Sequence, residues 1–461
     1  MTHSMTSPRH SIRALAAVLL MICGQAMAAI PIQHWTQPSG AKVYLVESPS
    51  IPMVDFQIDF DAGSRRDPAD KAGLARVTAT MASKGITAAR TPGAGAYDAA
   101  LDENQLSEAW ADLGAGFGAS ASSDRMSFSL RSLNYPDLLP KAIQLASRQL
   151  ADPSFPDAVW QRDRQRMSAS IREANTKPAT IVGHAFAAAV YGTHPYGYET
   201  TEATLARISV DDMRQAYRGG IEPCRAKISI VGAVTRAQAD AMVTQLLSRL
   251  PDATTGRCEP LPPVAEVVTL ADPVVRAIPF ASAQAHVLIG QPGYKRSDPD
   301  HFALVVGNYT LGGGGFVSRL TEEVREKRGL SYSVYSYFSP GLHAGAFTVG
   351  LQTRPDQTAQ AIQVSRDVLA RFVAEGPTPA ELKAAKDNLI GGFPLLIDSN
   401  RKLLDNVANI AWNNLPLDYL DTWTRQVERI TAADVKAAFA RKLQPQRMVT
   451  VTVGAAAAPQ Q

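Results

Sequence analysis

Short runs in which apolar and polar residues alternate predict strands along the whole chain. They span residues 42–46, 54–60 and 226–231 in the first part, and residues 285–289 and 448–453 in the second. Longer stretches, with apolar residues three or four positions apart, predict amphipathic helices. These cover residues 70–84, 137–151, 159–174 and 236–250, and then residues 299–311 and 379–390.

The order of these predicted elements repeats. Each half opens with a β-rich run, which in the second half is 285–289, continues through long helices and closes on a strand. Residues 252–273, between the halves, are rich in proline and threonine, which is typical of a linker. We therefore predict an α+β protein of two homologous domains, residues 29–251 and 274–456, each an antiparallel-rich mixed sheet covered by helices.

Composition and charge narrow the function classes. The 461 residues are 45% hydrophobic and 19% charged, which is typical of globular proteins and excludes a disordered or coiled-coil chain. The formal net charge of +3 is too small to indicate a nucleic-acid partner. Of the three cysteines, Cys224 and Cys258 lie in the globular region, where a disulfide and two free thiols are both open.

The N-terminus has the pattern of a secretory signal peptide. Arg9 lies before an apolar stretch that runs from Ile12 to Cys23, and Arg13 lies near the start of that stretch. The small residues Ala26 and Ala28 then form a cleavage site. The apolar stretch is too short to cross a bilayer comfortably. We predict that residues 1–28 are removed, that the mature chain has no membrane span, and that it is exported to a periplasm.

Four motifs indicate a function when they are considered together, although each alone is a weak signal. They are Asp61-Ala-Gly-Ser-Arg65 followed by Gly73-Leu-Ala, then His194-Pro-Tyr-Gly197, the glycine-rich segment 312–320, and the Arg-x-x-x-Gly-Leu-x-Tyr segment 325–332. In this order, on a duplicated chain, they resemble the pitrilysin and mitochondrial processing peptidase family. Those proteins are zinc peptidases with an inverted H-x-x-E-H motif.

The zinc-binding residues of that family are missing. In catalytic members the two histidines of the motif bind zinc and the glutamate activates the metal-bound water. The aligned positions here are Arg76, Ala79 and Thr80, and Ser170 stands where the family has a further glutamate ligand. A guanidinium offers no lone pair and a methyl group offers no donor. No two histidines of the mature chain lie three to five residues apart. The resemblance therefore implies no metal in this chain and no autonomous hydrolysis.

The substrate-binding residues of the family are retained. In catalytic relatives an Arg and a Tyr at the spacing of Arg325 and Tyr332 bind the substrate backbone, and the tyrosine hydroxyl stabilises the oxyanion. The alternative interpretation of Arg325 is a solvated charge on a helix, and that of Tyr332 is an aromatic side chain packed in a strand.

Two further segments resemble peptide-binding elements of the family. The run Gly312, Gly313, Gly314 and Gly315 resembles a mobile loop that touches peptide in a non-catalytic subunit, and a tight turn with positive φ is the alternative. Residues 115–121 align with the strand that holds peptide by β-addition, with Gly118 in place of an Asn.

The resemblance implies the non-catalytic, substrate-binding subunit of a heterodimeric zinc peptidase. A homologous partner with an intact H-x-x-E-H motif would supply zinc, base and water, and this chain would contribute Arg325 and Tyr332. The substrates would be extended peptides or small proteins. Two alternatives stay open: a stand-alone periplasmic peptide-binding or scaffold protein, and a homodimeric peptidase with a displaced metal.

Overall fold

The computed structural model describes residues 30–90, 97–251, 256 and 258–454, so the predicted signal peptide lies outside the described residues. The strands of the first half are β1 (Gln33–Thr36), β2 (Lys42–Glu47), β3 (Met53–Phe60), β4 (Gly85–Ile86), β5 (Ala89–Arg90), β6 (Tyr97–Asp98), β7 (Leu101–Asp102), β8 (Gly116–Ala121), β9 (Met126–Leu133) and β10 (Lys227–Gly232). Its helices are α1 (Leu74–Met81), α2 (Glu103–Asp112), α3 (Leu139–Ala151), α4 (Asp157–Ala174), α5 (Pro178–Tyr191), α6 (Glu202–Ala206), α7 (Val210–Gly220) and α8 (Arg236–Leu247).

The second half is built from a similar succession of elements. Its strands are β11 (Val274–Ile278), β12 (Ala285–Tyr294), β13 (Val334–Phe338), β14 (Gly345–Thr353) and β15 (Val449–Val453). Its helices are α9 (His301–Asn308), α10 (Thr358–Glu375), α11 (Pro379–Gly392), α12 (Asn400–Trp412), α13 (Tyr419–Arg429) and α14 (Ala432–Lys442).

The two large sheets share the same topology over five strands, and β1 adds a sixth strand at one edge of the first sheet. The shared topology confirms the predicted pair of homologous α+β domains. The strand order is β1-β2-β10-β3-β9-β8 in the first sheet and β11-β15-β12-β14-β13 in the second. In each, the closing strand, β10 or β15, is parallel to the neighbour on one side and antiparallel to the other. The other pairs within the two sheets are antiparallel.

The second half opens earlier than predicted. The sequence pattern placed its first strand at 285–289, but β11 precedes that segment and pairs with β15. Val275 in the middle of β11 is 73% exposed, so this edge strand lacks the buried alternation that the pattern depends on.

Each sheet is covered on one face by a helix from the opposite half. Helix α5 packs on β12 and β15, where Val182, Phe186 and Val190 contact Val449 and Val451. Helix α12 packs on β10 and β3 of the first sheet. This reciprocal exchange joins the halves into one body, because each sheet needs the other half to bury its second face.

The C-terminal end of the exchanged helix α12 lies over charged groups of the first sheet. Asp59 of β3 is fully buried there and accepts a hydrogen bond of 2.8 Å from Arg125. Lys227 donates to the backbone oxygens of Ala411 and Trp412, at 2.9 Å each. Carbonyl groups at a helix C-terminus carry partial negative charge, so the ammonium group of Lys227 stabilises this end of α12.

The connection between the halves lies against the body of the protein. A disulfide joins Cys224 to Cys258, which resolves the alternatives that the sequence left open. Arg66 donates to the backbone oxygen of Pro262 at 3.0 Å. Glu266 contacts His343 at 3.1 Å and Lys295 at 2.7 Å. The described part of the predicted linker is therefore held in place by contacts with both halves.

No helix in the described residues combines the length and the apolar content that crossing a bilayer requires.

The exchange of helices predicts a large effect for Phe186, whose side chain is 6% exposed. We expect Phe186→Ala to lower the free energy of unfolding by about 3–5 kcal/mol, because it leaves a cavity between α5 and the second sheet. Urea unfolding measures the loss. The control is Ala188→Ser, at an exposed position on the same helix. Equal stability of the two variants would contradict the inferred role of α5.

Candidate functional site: a zinc helix without ligands and an exposed Arg–Tyr pair

Helix α1 begins at a fixed turn. Gly73 has φ +104, and a Cβ added there would lie 2.7 Å from the Thr200 side chain. Asp67 accepts hydrogen bonds of 2.9 Å from the N–H groups of Gly73 and Ala75. Burial raises the pKa of Asp67 to about 6, against these hydrogen bonds, which lower it. The start of the helix that carries the aligned zinc positions is therefore fixed by Gly73 and Asp67, although the helix has no zinc-binding side chains.

The aligned zinc positions do not form a metal site. Arg76 and Thr80 are exposed on α1, and the Thr80 hydroxyl donates to the backbone oxygen of Arg76 at 3.0 Å. Ala79 is fully buried in the core of the first half. Ser170 is exposed on α4 and lines the same pocket of about 370 Å³ as Arg76.

A displaced metal site is not supported by the nearby side chains either. His184 and Glu199 line the pocket beside Arg76, but they pair with each other, at 2.8 Å between Nδ1 and Oε1. In the described part of the chain, one group of three potential ligands lies close enough for a metal, Glu222 with Cys224 and Cys258. Those two cysteines form the disulfide. The residues present therefore do not fit a zinc ion.

Arg325 and Tyr332 come together on the surface of the second half. The Arg325 guanidinium lies 4.9 Å from the centre of the Tyr332 ring and 4.7 Å from that of Phe316. Both rings are exposed, Tyr332 by 80% and Phe316 by 71%. Glu326 lies 3.2 Å from the guanidinium. The cation is thus held between two aromatic faces, an arrangement that orients it without burying it.

The glycine-rich run shapes the segment before Phe316. A Cβ on Gly312 would lie 2.5 Å from the Ser336 nitrogen, and one on Gly314 would lie 2.7 Å from the Tyr309 oxygen. Gly313 would approach Asn308 at 2.8 Å, and only Gly315 of the four has a positive φ, +60. Close packing therefore explains three of these glycines, and the left-handed turn explains the fourth.

An ion pair holds the segment that follows. Arg319 donates two hydrogen bonds to Glu381, at 2.6 and 2.7 Å, and its guanidinium lies over the Phe372 ring. Burial alone would raise the pKa of Glu381, but hydrogen bonds from Arg319 and Thr378 lower it to about 2. This pair fixes the end of the glycine-rich segment against α11.

The structure adds site residues that the motifs did not single out. Phe316 directly follows the glycines, and an apolar residue next to four glycines is the signal that could have found it. His184 and Glu199 have no such signal, because they meet only through the fold. The segment around His194 is structural: the imidazole is 5% exposed and accepts the Tyr196 N–H at 3.1 Å.

The absence of fitting ligands predicts the metal content. After dialysis against a chelator, the purified chain should retain far less than one zinc per chain, because Arg76, Ala79, Thr80 and Ser170 supply no ligand set. Elemental analysis measures the ratio. Retention of one tightly held zinc per chain after this dialysis would contradict the expectation.

The Arg319–Glu381 pair predicts acid sensitivity. We expect Glu381→Gln to destabilise the chain by about 1.5–3 kcal/mol, because a charge-assisted hydrogen-bond pair is lost. The folded-state pKa of Glu381, about 2, is below its ordinary value of 4.5. The stabilisation is therefore present above pH 4.5 and disappears as the pH falls toward 2.

Urea unfolding at several pH values, with the exposed Glu428→Gln as control, measures this effect. A stability gap between wild type and Glu381→Gln that stayed constant from pH 6 to pH 3 would contradict it.

Comparisons with known proteins agree with this geometry. The model for the insulinase family, peptidase family M16, matches residues 42–204, and the model for the peptidase M16 inactive domain matches residues 207–389. A solved peptidase M16 inactive domain from Pseudomonas fluorescens has a TM-score of 0.85 and 31% identity, and covers 93% of this chain and 100% of that one.

Some relatives in sequence are described as zinc proteases, and another is described as a non-peptidase. An uncharacterised zinc protease of Streptomyces coelicolor is 27% identical over 92% of this chain and 90% of its own length. A non-peptidase homologue of Helicobacter pylori, YmxG, is 23% identical over 91% of this chain and 93% of its own length. The resemblance seen in the motifs is therefore confirmed: the chain belongs to peptidase family M16, and its relatives include members described as inactive.

Proposed function

We propose that this chain is the non-catalytic, substrate-binding subunit of a two-chain zinc peptidase. The observation that carries the proposal is Arg325, held between the rings of Phe316 and Tyr332 on an exposed surface. The aligned zinc helix of the same chain lacks a ligand set. A chain that keeps the substrate-binding residues without the metal is suited to complete the site of another chain.

The chemistry of the pair fits this role. The Tyr332 hydroxyl makes no hydrogen bond within the described residues and is free to donate to a ligand. A guanidinium donates to carbonyl oxygens of a peptide backbone. In a site closed by a partner, where water is displaced, a donor aimed at the oxyanion lowers the barrier by several kcal/mol.

Exposed aromatic residues on the strand that follows Tyr332 in the sequence support a partner on this half of the protein. Tyr335 and Tyr337 are both more than 40% exposed on β13, and their rings stack at 5.9 Å. Strand β13 is the edge of its sheet. Exposed aromatic residues beside an unpaired sheet edge are typical of surfaces that bind another chain. We propose that the partner is a homologue of similar size with an intact H-x-x-E-H motif, to which zinc belongs.

The compartment and the substrates follow from the same proposal. The predicted signal peptide supports a periplasmic location. A site enclosed between two chains admits extended peptides and small proteins more readily than large folded ones. The relative described as a non-peptidase homologue supports a role without autonomous hydrolysis.

The test is a reconstitution with a homologous chain from the same genome that carries the intact motif. Peptide hydrolysis is measured for this chain, for the homologue and for the mixture. We expect chelator-sensitive cleavage mainly in the mixture. Cleavage by this chain alone would overturn the proposal. An inert mixture in which this chain stays monomeric would favour the stand-alone binding or scaffold protein.

The pair itself predicts a loss of turnover. In the active mixture, Tyr332→Phe and Arg325→Ala should each lower kcat/KM by about 10²–10³-fold, because each removes a donor to the reacting peptide. Tyr332 is exposed and Arg325 is partly exposed, outside the hydrophobic core, so assembly and stability should be retained. Tyr135→Phe and Arg354→Ala are matched controls at exposed positions elsewhere. Unchanged turnover in the site variants would show that the pair is structural.

A further inference from the structure

The arginine that replaces the first zinc-binding histidine lies where two pockets meet. Arg76 lines the pocket of about 370 Å³ described above and an adjoining pocket of about 280 Å³. The two pockets also share Tyr198 and Thr200. The guanidinium of Arg76 makes no hydrogen bond and no ion pair within the described residues. A guanidinium that has no hydrogen-bond partner and lies at the junction of two pockets can bind an anion.

The acidic groups nearby are already engaged. Asp67 lines the smaller pocket, but it accepts the N–H groups of Gly73 and Ala75 at the start of α1. Glu199 lines the larger pocket and pairs with His184. The hydroxyl groups of Tyr198 and Thr200 make no hydrogen bond within the described residues. The positive charge of Arg76 helps to lower the pKa of Asp67, but the guanidinium keeps its N–H donors free. The pockets thus offer a guanidinium and two hydroxyl groups that have no hydrogen-bond partner within the described residues.

An open sheet edge leads into the smaller pocket. Strand β8 is the last strand of the first sheet, and within the described residues no strand pairs with its outer edge. Helix α1 packs against β8. Ala121, Ser122 and Ser123, at the C-terminal end of β8, line the pocket that contains Arg76. An extended peptide that adds to this edge would therefore end at the guanidinium.

We propose that Arg76 binds the C-terminal carboxylate of an extended peptide that pairs with β8 in the parallel direction. The direction follows from charge. Strand β8 runs toward Arg76, so a parallel peptide brings its carboxylate to the cation, whereas an antiparallel peptide would bring its ammonium group. The substitution that removes zinc chemistry thus creates a site for chain ends. This site is separate from the Arg325–Tyr332 surface and needs no partner.

The proposal is tested with the isolated full-length mature chain. The chain is immobilised and exposed to an equimolar pool of randomised decapeptides, in which half of the molecules end in a free carboxylate and half in an isotopically labelled amide. Mass spectrometry measures the ratio of acid to amide retained. Arg76→Ala removes the charge, Arg76→Lys keeps it, and Arg354→Ala is the control for a lost exposed arginine.

We expect the wild type and Arg354→Ala to retain the acid about ten-fold more than the amide, as a charge-assisted contact implies. In Arg76→Ala the ratio should fall to near one, with the amide retained as before, and Arg76→Lys should keep part of the preference. Thermal unfolding of all variants should change little, because Arg76 makes no hydrogen bond or ion pair within the described residues and the Arg354–Asp356 pair is exposed.

Three results would overturn the proposal. They are equal retention of acid and amide by the wild type, a preference for the acid that survives in Arg76→Ala, and retention of neither form above that of bare resin. Each result is independent of whether a catalytic partner exists, so the function proposed above stands or falls separately.

Discussion

The structure depends on a reciprocal exchange in which each half gives one helix, α5 or α12, to the sheet of the other half. Each sheet is covered on one face by helices of its own half, such as α3 and α8 in the first, and on the other face by a helix from the opposite half. Strand β15 shows the consequence: all five of its residues are buried, which a sheet open to water on one side would not allow. Neither half has a complete core alone.

The two exchanged helices are held by different interactions. Helix α5 presents apolar residues to Val449 and Val451, so burial of apolar surface holds it. Helix α12 packs on Tyr44 and Val46, but its C-terminal end lies over charged groups, among them Arg125 and Lys227. The position of α12 is therefore also set by hydrogen bonds and by the partial charge of its carbonyl groups. The two halves therefore have the same fold, but the contacts that hold their exchanged helices differ.

The same asymmetry separates the two candidate surfaces. In the first half the frame of a zinc site remains, with Gly73 and Asp67 starting the helix, but Arg76 occupies the place of a ligand. In the second half the Arg325 cluster is supported by tight glycine packing and by the Arg319–Glu381 pair.

Sequence patterns predicted most of the sheet because its inner strands alternate, as in Val54, Phe56 and Ile58. They could not predict the exchange of helices, because the apolar face of a helix does not indicate which of the two sheets it packs against. The edge strand β11 was missed for the opposite reason, because too few of its residues are buried. The resemblance pointed to the positions of Arg76 and Arg325. The contacts of Phe316 and Glu199 required the folded chain.

The central claim is that this chain contributes the Tyr332 hydroxyl to a zinc site on another chain. A structure of the reconstituted pair with a non-cleavable peptide tests it most directly. The account predicts that the hydroxyl lies within about 3.5 Å of the peptide carbonyl oxygen nearest the partner's zinc. A complex in which Tyr332 faces solvent, with the peptide held entirely by the other chain, would contradict it.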